Sequence, residues 1–356
     1  MGRSVEGMMP AQSNPMLQAW QQFCSGNSQP LQQCLEAEFP PDECWARADF
    51  DRSAEFQRRW QWLEMAQPQL QEFFAARNFP DTWILPLWSV WLPLACQLQD
   101  WQRLAHPTPQ IIGFLGGQGS GKTTLTTLLK CLLELQGYRV LAWSIDDLYL
   151  PYEDRLALAQ QDPRLIWRGP PGTHDVSLGR DILQQFKARR PSVAVPRFDK
   201  SRHSGAGDRS GFEPVDAVDF VLFEGWFVGA QPLAPERLEQ LRWPDPIRTA
   251  ADRQFAQDMN QALQTYQPLW AMLDHLVVLQ LQDYRWSQQW RQQAEQQMRA
   301  QGLPGMSDLE IQAFVEYFWR TLHPDLFITP LAADGADLVL EIGADHLPDR
   351  VYRPGA

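Results

Sequence analysis

Between residues 16 and 103 the apolar positions recur at helical spacing. Phe56, Trp60 and Leu63 fall at i, i+4 and i+7, which puts them on one face, and Leu70, Phe73 and Phe74 extend the stripe beyond Pro68. Trp88, Trp91 and Leu92 follow. The pattern predicts a helical region over residues 16–106, preceded by a loose polar tail over 1–15. Its aromatic stripe is either helix-packing core or a surface for a partner. Ala105-His-Pro-Thr-Pro-Gln110 ends the helical pattern, because two prolines in a polar stretch stop a helix and start an extended segment. A second domain is therefore expected over 107–356.

Past that break the period changes. Short apolar runs at 111–115, 139–145, 218–223, 275–281 and 338–342 read as strands, with a further extended piece at 193–198. Residues 122–136 read as a helix with Leu125, Leu128, Leu129, Leu132 and Leu133 on its inner face and Gly137 as its stop. Strands separated by helices imply an α/β fold, a mostly parallel sheet covered on both faces.

Composition narrows the classes. The 356 residues, 44% of them hydrophobic, suffice for two packed domains at roughly 150 residues each. A formal charge of −12 argues against a general nucleic-acid binder, which needs a basic face. The five cysteines (24, 34, 44, 96 and 131) are odd in number and show no CxxC pair, so neither a disulfide framework nor a structural zinc is expected, and a reducing cytoplasm fits. The most apolar stretch, 83–95, is broken by Pro86 and Pro93 and falls short of the roughly 20 residues of a membrane span. The N-terminus has no secretory pattern, and Glu6 stands where a myristoylation signal needs Ser or Thr.

The strongest chemical signal is Gly116-Gly117-Gln118-Gly119-Ser120-Gly121-Lys122-Thr123, a GxxxxGK[ST] phosphate-binding loop followed by Thr124. Glycines let backbone N–H groups wrap a phosphate, and the following helix directs its N-terminal dipole at the anion. Lys122 is placed to reach the β- and γ-phosphates and Thr123 to ligate Mg²⁺. Only four of the 31 basic residues are lysines, so lysine at this slot is not an accident of composition. No NKxD-type guanine motif occurs, which favours ATP.

Two acidic strand ends follow. In an open α/β sheet ligands bind beyond the carboxyl ends of the strands. Asp146 and Asp147 lie there, within Ser144-Ile-Asp-Asp-Leu-Tyr149. Either is placed to accept a proton from an attacking hydroxyl, or to cap a helix. Glu224 ends the apolar run 219–224 in a Walker-B-like arrangement, where it would hold Mg²⁺ through water or orient the water network. His106, His203, His275, His323 and His346 have no metal-ligand spacing.

Together these segments resemble the phosphoribulokinase and uridine kinase group of small-molecule kinases. Arg168-Gly-Pro-Pro-Gly-Thr-His174-Asp175, Pro196-Arg197-Phe-Asp-Lys200-Ser with Gly207-Asp-Arg209, and Trp290-Arg291 with Pro304-Gly-Met-Ser-Asp308 look like segments of D-glycerate 3-kinases of the plant and cyanobacterial kind. The resemblance runs from about residue 83 to 342, with Leu148 in place of a phenylalanine. It implies a three-layer P-loop kinase fold with a helical N-terminal region and a lid at about 284–325. It also implies an activity, Mg-ATP-dependent phosphorylation of D-glycerate to 3-phosphoglycerate within photorespiratory salvage. In that reading Asp146 is the base, and Asp147 is the alternative base or a supporting group. The acceptor site draws on Tyr149, Arg168, His174, Asp175, Arg197, Lys200, Arg209 and the lid residue Arg291. A kinase for uridine, pantothenate or a sugar phosphate is the alternative within the fold. A nucleotide-binding scaffold using the tryptophan-rich region is the alternative outside it.

Overall fold

The structure is a computed structural model that describes residues 15–37, 51–79, 83–300 and 305–355. The expected tail lies outside these residues except for Pro15, as do Cys44 and Pro304. The chain divides into two compact units, Met1–Cys96 and Gln97–Ala356.

The first unit is helical: α1 (Pro15–Cys24), α2 (Gln29–Ala37) and α3 (Arg52–Ala75), with the start of α4 (Leu92–Ala105). Asp51 begins α3 by accepting the N–H groups of Ser53 and Ala54, and the helix continues through Pro68. Phe56, Trp60, Leu63, Leu70, Phe73 and Phe74 are all buried. Aromatic rings pack directly on one another, Trp83 on Phe74 at 3.7 Å between centroids and edge-on to Trp20 at 4.8 Å. No tryptophan among the described residues is exposed, so the stripe is core rather than an open surface.

The second unit is built on a six-stranded sheet in the order β2-β5-β1-β6-β7-β8. β1 (Gln110–Gly116), β2 (Val140–Ser144), β5 (Phe220–Gly225), β6 (His275–Leu281) and β7 (Leu338–Ile342) are parallel, and β8 (Pro348–Tyr352) closes one edge antiparallel. Every residue of β1 and β5 is buried, as the unbroken apolar runs require of strands covered on both faces. α5 (Lys122–Leu135) follows β1, α6 (Tyr152–Gln161) and α7 (Val176–Lys187) follow β2, and α8 (Ala250–Ala262) precedes β6. α9 (Trp286–Ala300) and α10 (Asp308–Thr321) stand between β6 and β7. This is the expected α/β architecture.

The extended piece at 193–198 does not join that sheet. It belongs to β3 (Ser192–Asp199), which pairs antiparallel with β4 (Asp208–Asp216) as a separate hairpin. β4 is largely exposed and carries Gly211 and Pro214, so it lacks the alternation that marks a strand in sequence. The pairing register shifts between Arg197 and Phe198. No helix among the described residues is long and apolar enough to cross a membrane.

Candidate active site

The loop between β1 and α5 is shaped by backbone conformation. Gly119 and Gly121 have φ of 77° and 86°, where a side chain is strained. A Cβ on Gly116 would stand 2.5 Å from Ser120 Oγ. Gly121 precedes α5 and no side chain caps the helix. The first N–H groups of a helix have no partner within it, so here they are left for an anion. The contrast is with α7, α8 and α10, whose starts are capped by the side chains of Asp175, Thr249 and Ser307. Lys122 Nζ donates to the carbonyl of Gly117 at 2.8 Å and folds back over the loop. Burial lowers its pKa, while the Glu224 and Asp146 carboxylates pull in the opposite direction.

The carboxyl ends of β2 and β5 face this loop. Thr123 Oγ1 donates to Glu224 Oε1 at 2.8 Å. Asp146 accepts the hydroxyl of Tyr149 on Oδ1 (2.8 Å) and the ammonium of Lys200 on Oδ2 (2.6 Å). Burial raises the pKa of Asp146, but the charge and hydrogen bond of Lys200 and the Tyr149 hydroxyl outweigh it, and the net shift is downward. The adjacent carboxylate is employed differently. Asp147 accepts Phe198 N–H at 3.0 Å and Arg197 Nη1 at 3.2 Å, at the register shift of the hairpin. It therefore ties β3 to β2, and the irregularity next to it turns the strand end that carries Lys200.

These groups line a cleft of ≈ 920 Å³. Its wall includes Gln118, Gly119, Lys122, Thr123, Asp146, Asp147, Tyr149, Arg168, Lys200, Glu224 and Arg291. Arg168 donates to the carbonyls of Gly205 (2.7 Å) and Ala206 (3.0 Å), fixing the hairpin loop. Arg291, on α9, is paired with Glu295 at 2.7 Å.

Four expected acceptor residues, His174, Asp175, Arg197 and Arg209, sit behind the wall instead. Asp175 caps α7 through Leu178 N–H (3.1 Å) and pairs with Arg209 (3.3 Å). Arg197 bridges Asp147 and Glu213. His174 is 5% exposed and stacks on the Tyr149 ring at 4.6 Å. The Tyr266 oxygen accepts the N–H groups of Gly172 and His174, so its own proton goes to His174 Nδ1 at 2.8 Å. That pattern leaves the ring proton on Nε2. Burial pushes the His174 pKa down to about 3, so the ring is neutral near pH 7.

No protein-family model matches the chain. An uncharacterized kinase of Schizosaccharomyces pombe is 34% identical over 223 residues, which cover 59% of this chain and 78% of that protein. The chloroplastic D-glycerate 3-kinase of Arabidopsis thaliana is 33% identical over 252 residues, 67% of this chain and 53% of the plant protein's length. The solved D-glycerate 3-kinase of Cryptococcus neoformans superposes with a TM-score of 0.65 at 28% identity, covering 73% of this chain and 96% of that one. The chain belongs to the uridine kinase-like P-loop kinases, in the family that includes D-glycerate 3-kinase. It is a small-molecule kinase.

Several residues that line the cleft of this P-loop kinase carry no signal of their own in the sequence. His346 lies in the turn between β7 and β8, and its ring stacks on Trp290 at 3.7 Å. Tyr266, which is buried behind the cleft wall and holds His174, stands among glutamines and leucines with nothing to single it out. Phe198 and Trp226 also line the cleft, and both lie inside segments whose charged neighbours drew attention first.

Proposed function

We propose that this kinase transfers the γ-phosphoryl group of ATP to D-glycerate, forming 3-phosphoglycerate, with Asp146 as the general base. The observation that carries the reading is the division of labour between the paired acids. Both line the cleft, but Asp146 holds only the cleft side chains of Tyr149 and the exposed Lys200, whereas both Asp147 oxygens are committed to the β3 strand at Arg197 and Phe198. The relatives named D-glycerate 3-kinase support the choice of acceptor. So does the presence of Arg168, Lys200 and Arg291 around a site that must receive a carboxylate.

The P-loop N–H groups (116–124) and Lys122 hold the β- and γ-phosphates. Asp146 takes the proton of the acceptor hydroxyl. As it does so, the hydroxyl oxygen bonds to the γ-phosphorus, and the bond from phosphorus to the bridging oxygen breaks, leaving its electron pair on ADP. Thr123 and Glu224 present a hydroxyl and a carboxylate 2.8 Å apart, the hard oxygen donors that suit Mg²⁺. Bound there, the ion supplies charge neutralisation at the phosphate oxygens. In this reading Arg291, a cleft residue on α9 that pairs with Glu295, turns to the transferring group.

ADP release with Mg-ATP tests the reading, using D-glycerate, L-glycerate, uridine, pantothenate and no acceptor, with the product assigned by NMR. ADP formed with D-glycerate alone, and 3-phosphoglycerate as product, is the expected result. Release with uridine or pantothenate instead moves the assignment to that acceptor, and no acceptor-dependent release from folded, ATP-binding protein overturns it.

A further inference from the structure

Among the described residues, every cation that lines the acceptor end of the cleft is already engaged, and the partners differ in kind. Arg168 holds backbone carbonyls and Arg291 holds Glu295. Lys200 holds Asp146 itself, at 2.6 Å. A carboxylate that accepts an ammonium hydrogen bond on one oxygen and a phenol hydrogen bond on the other is a poor base, because both oxygens are occupied and its negative charge is neutralised. In this geometry Asp146 is capped against the step for which it is otherwise arranged. The two partners are unequal in mobility. Tyr149 is buried, whereas the Lys200 side chain is 60% exposed at the tip end of β3, on a flexible stem. Of the two, Lys200 is the one able to leave.

We propose that Lys200 is a carboxylate-operated cap on Asp146: an acceptor bearing a carboxylate draws the ammonium away from Asp146 Oδ2, and only then is the base free to take a hydroxyl proton. The inference rests on the phosphoryl-transfer reading above and adds a specificity rule to it. An acceptor is selected for having an anion and a hydroxyl on one short chain. Neutral polyols and water leave the cap in place, which protects ATP from hydrolysis when no acceptor is bound. One ammonium–carboxylate pair is traded for another, and Asp146 is left with its charge uncompensated and only the Tyr149 hydrogen bond, which raises its basicity. The anchoring of β3 by Asp147 at Arg197 and Phe198 keeps the lysine within reach of both partners.

The test compares wild type, Lys200→Met, Lys200→Arg and the double variant Lys200→Met/Asp146→Asn. Each is assayed for ADP release with D-glycerate, with glycerol and with no acceptor. Glycerol keeps the hydroxyls and lacks the carboxylate. Expected in Lys200→Met is a loss of at least about 10²-fold in kcat/KM for D-glycerate, with acceptor-free and glycerol-dependent release raised several-fold. Adding Asp146→Asn should abolish that rise. Lys200→Arg should keep the preference for D-glycerate. Equal losses under all three conditions in Lys200→Met would overturn the cap and leave Lys200 as a general phosphate or structural contact. Wild type that ignores D-glycerate, while Lys200→Met still raises acceptor-free release through Asp146, would discard the glycerate reading and keep the cap. Wild type that uses D-glycerate, with no change in the glycerol-to-glycerate ratio in Lys200→Met, would do the reverse.

Discussion

The two ends of the cleft are made in opposite ways. The phosphate end is one continuous stretch, residues 116–124, and its donors are backbone N–H groups and a lysine folded back on its own loop. The acceptor end is assembled from side chains of widely separated segments: Asp146 after β2, Arg168 in a loop, Lys200 on the hairpin and Arg291 on α9. One end is fixed by covalent neighbourhood and buried strands. The other is held by side-chain contacts of different kinds: Lys200 pairs with Asp146 across elements, Arg168 holds the carbonyls of Gly205 and Ala206, and Arg291 pairs with Glu295 one turn along its own helix. On the reading proposed above, a site of this construction grips a feature shared by every nucleoside triphosphate through its backbone and leaves the selection of the second substrate to side chains.

The sharpest way to separate the two ends is to remove one functional group from each. Asp146→Asn should cut turnover about 10²–10⁴-fold, the usual size for a general base, while nucleotide affinity stays unchanged. Lys122→Ala should cut turnover about 10²–10³-fold and weaken nucleotide binding as well, because it strips a cation from the phosphates in both ground and transition states. Turnover by steady-state ADP release and affinity by calorimetry decide the matter. If both variants bind nucleotide equally badly, the division of the cleft into two ends is wrong.

A smaller effect is expected one residue along. Asp147→Asn keeps an acceptor oxygen for Phe198 N–H but gives up the charge that faces Arg197. The hairpin carrying Lys200 should loosen, raising KM for the acceptor by about tenfold, a loss near 1.4 kcal/mol, with KM for ATP unmoved. A fall in kcat comparable to that of Asp146→Asn would instead make Asp147 the base.

The same contrast explains what the sequence reveals. The P-loop, the Leu-rich helix after it and the buried strands are legible because their signals are local, a fixed spacing or an unbroken apolar run. The hairpin partner β4 is not, since it is exposed and interrupted by Gly211 and Pro214. Asp146 and Asp147 are equivalent as letters. They differ only because a strand 50 residues further on occupies one of them. Asp175 and Arg197 look like substrate contacts in the string for the same reason, until the partners they already hold are known. Tyr266 is invisible because its role depends on reaching His174 across 92 positions of sequence.

The subtlest difference lies beneath the acceptor end and is read through pH. His174 is neutral in the folded protein because burial drives its pKa to about 3, against an ordinary value of 6.5. Below pH 6.5 the unfolded chain binds a proton that the folded one refuses, so stability falls as pH drops from 6.5 towards 3. The slope approaches about 1.4 kcal/mol per pH unit from this group alone. His174→Gln can still accept the Tyr266 hydroxyl and cannot be protonated. It should therefore start less stable at pH 7, by about 1–3 kcal/mol for the imperfect replacement, and lose stability more slowly between pH 6 and 4. His323 and His346 also have lowered pKa values, through burial, but they are present in both proteins and cancel in the difference. Urea midpoints of the two proteins at pH 7, 6, 5 and 4 should converge. Parallel curves would show that His174 takes up a proton in the folded protein as readily as in the unfolded chain, and that burial does not keep the ring neutral.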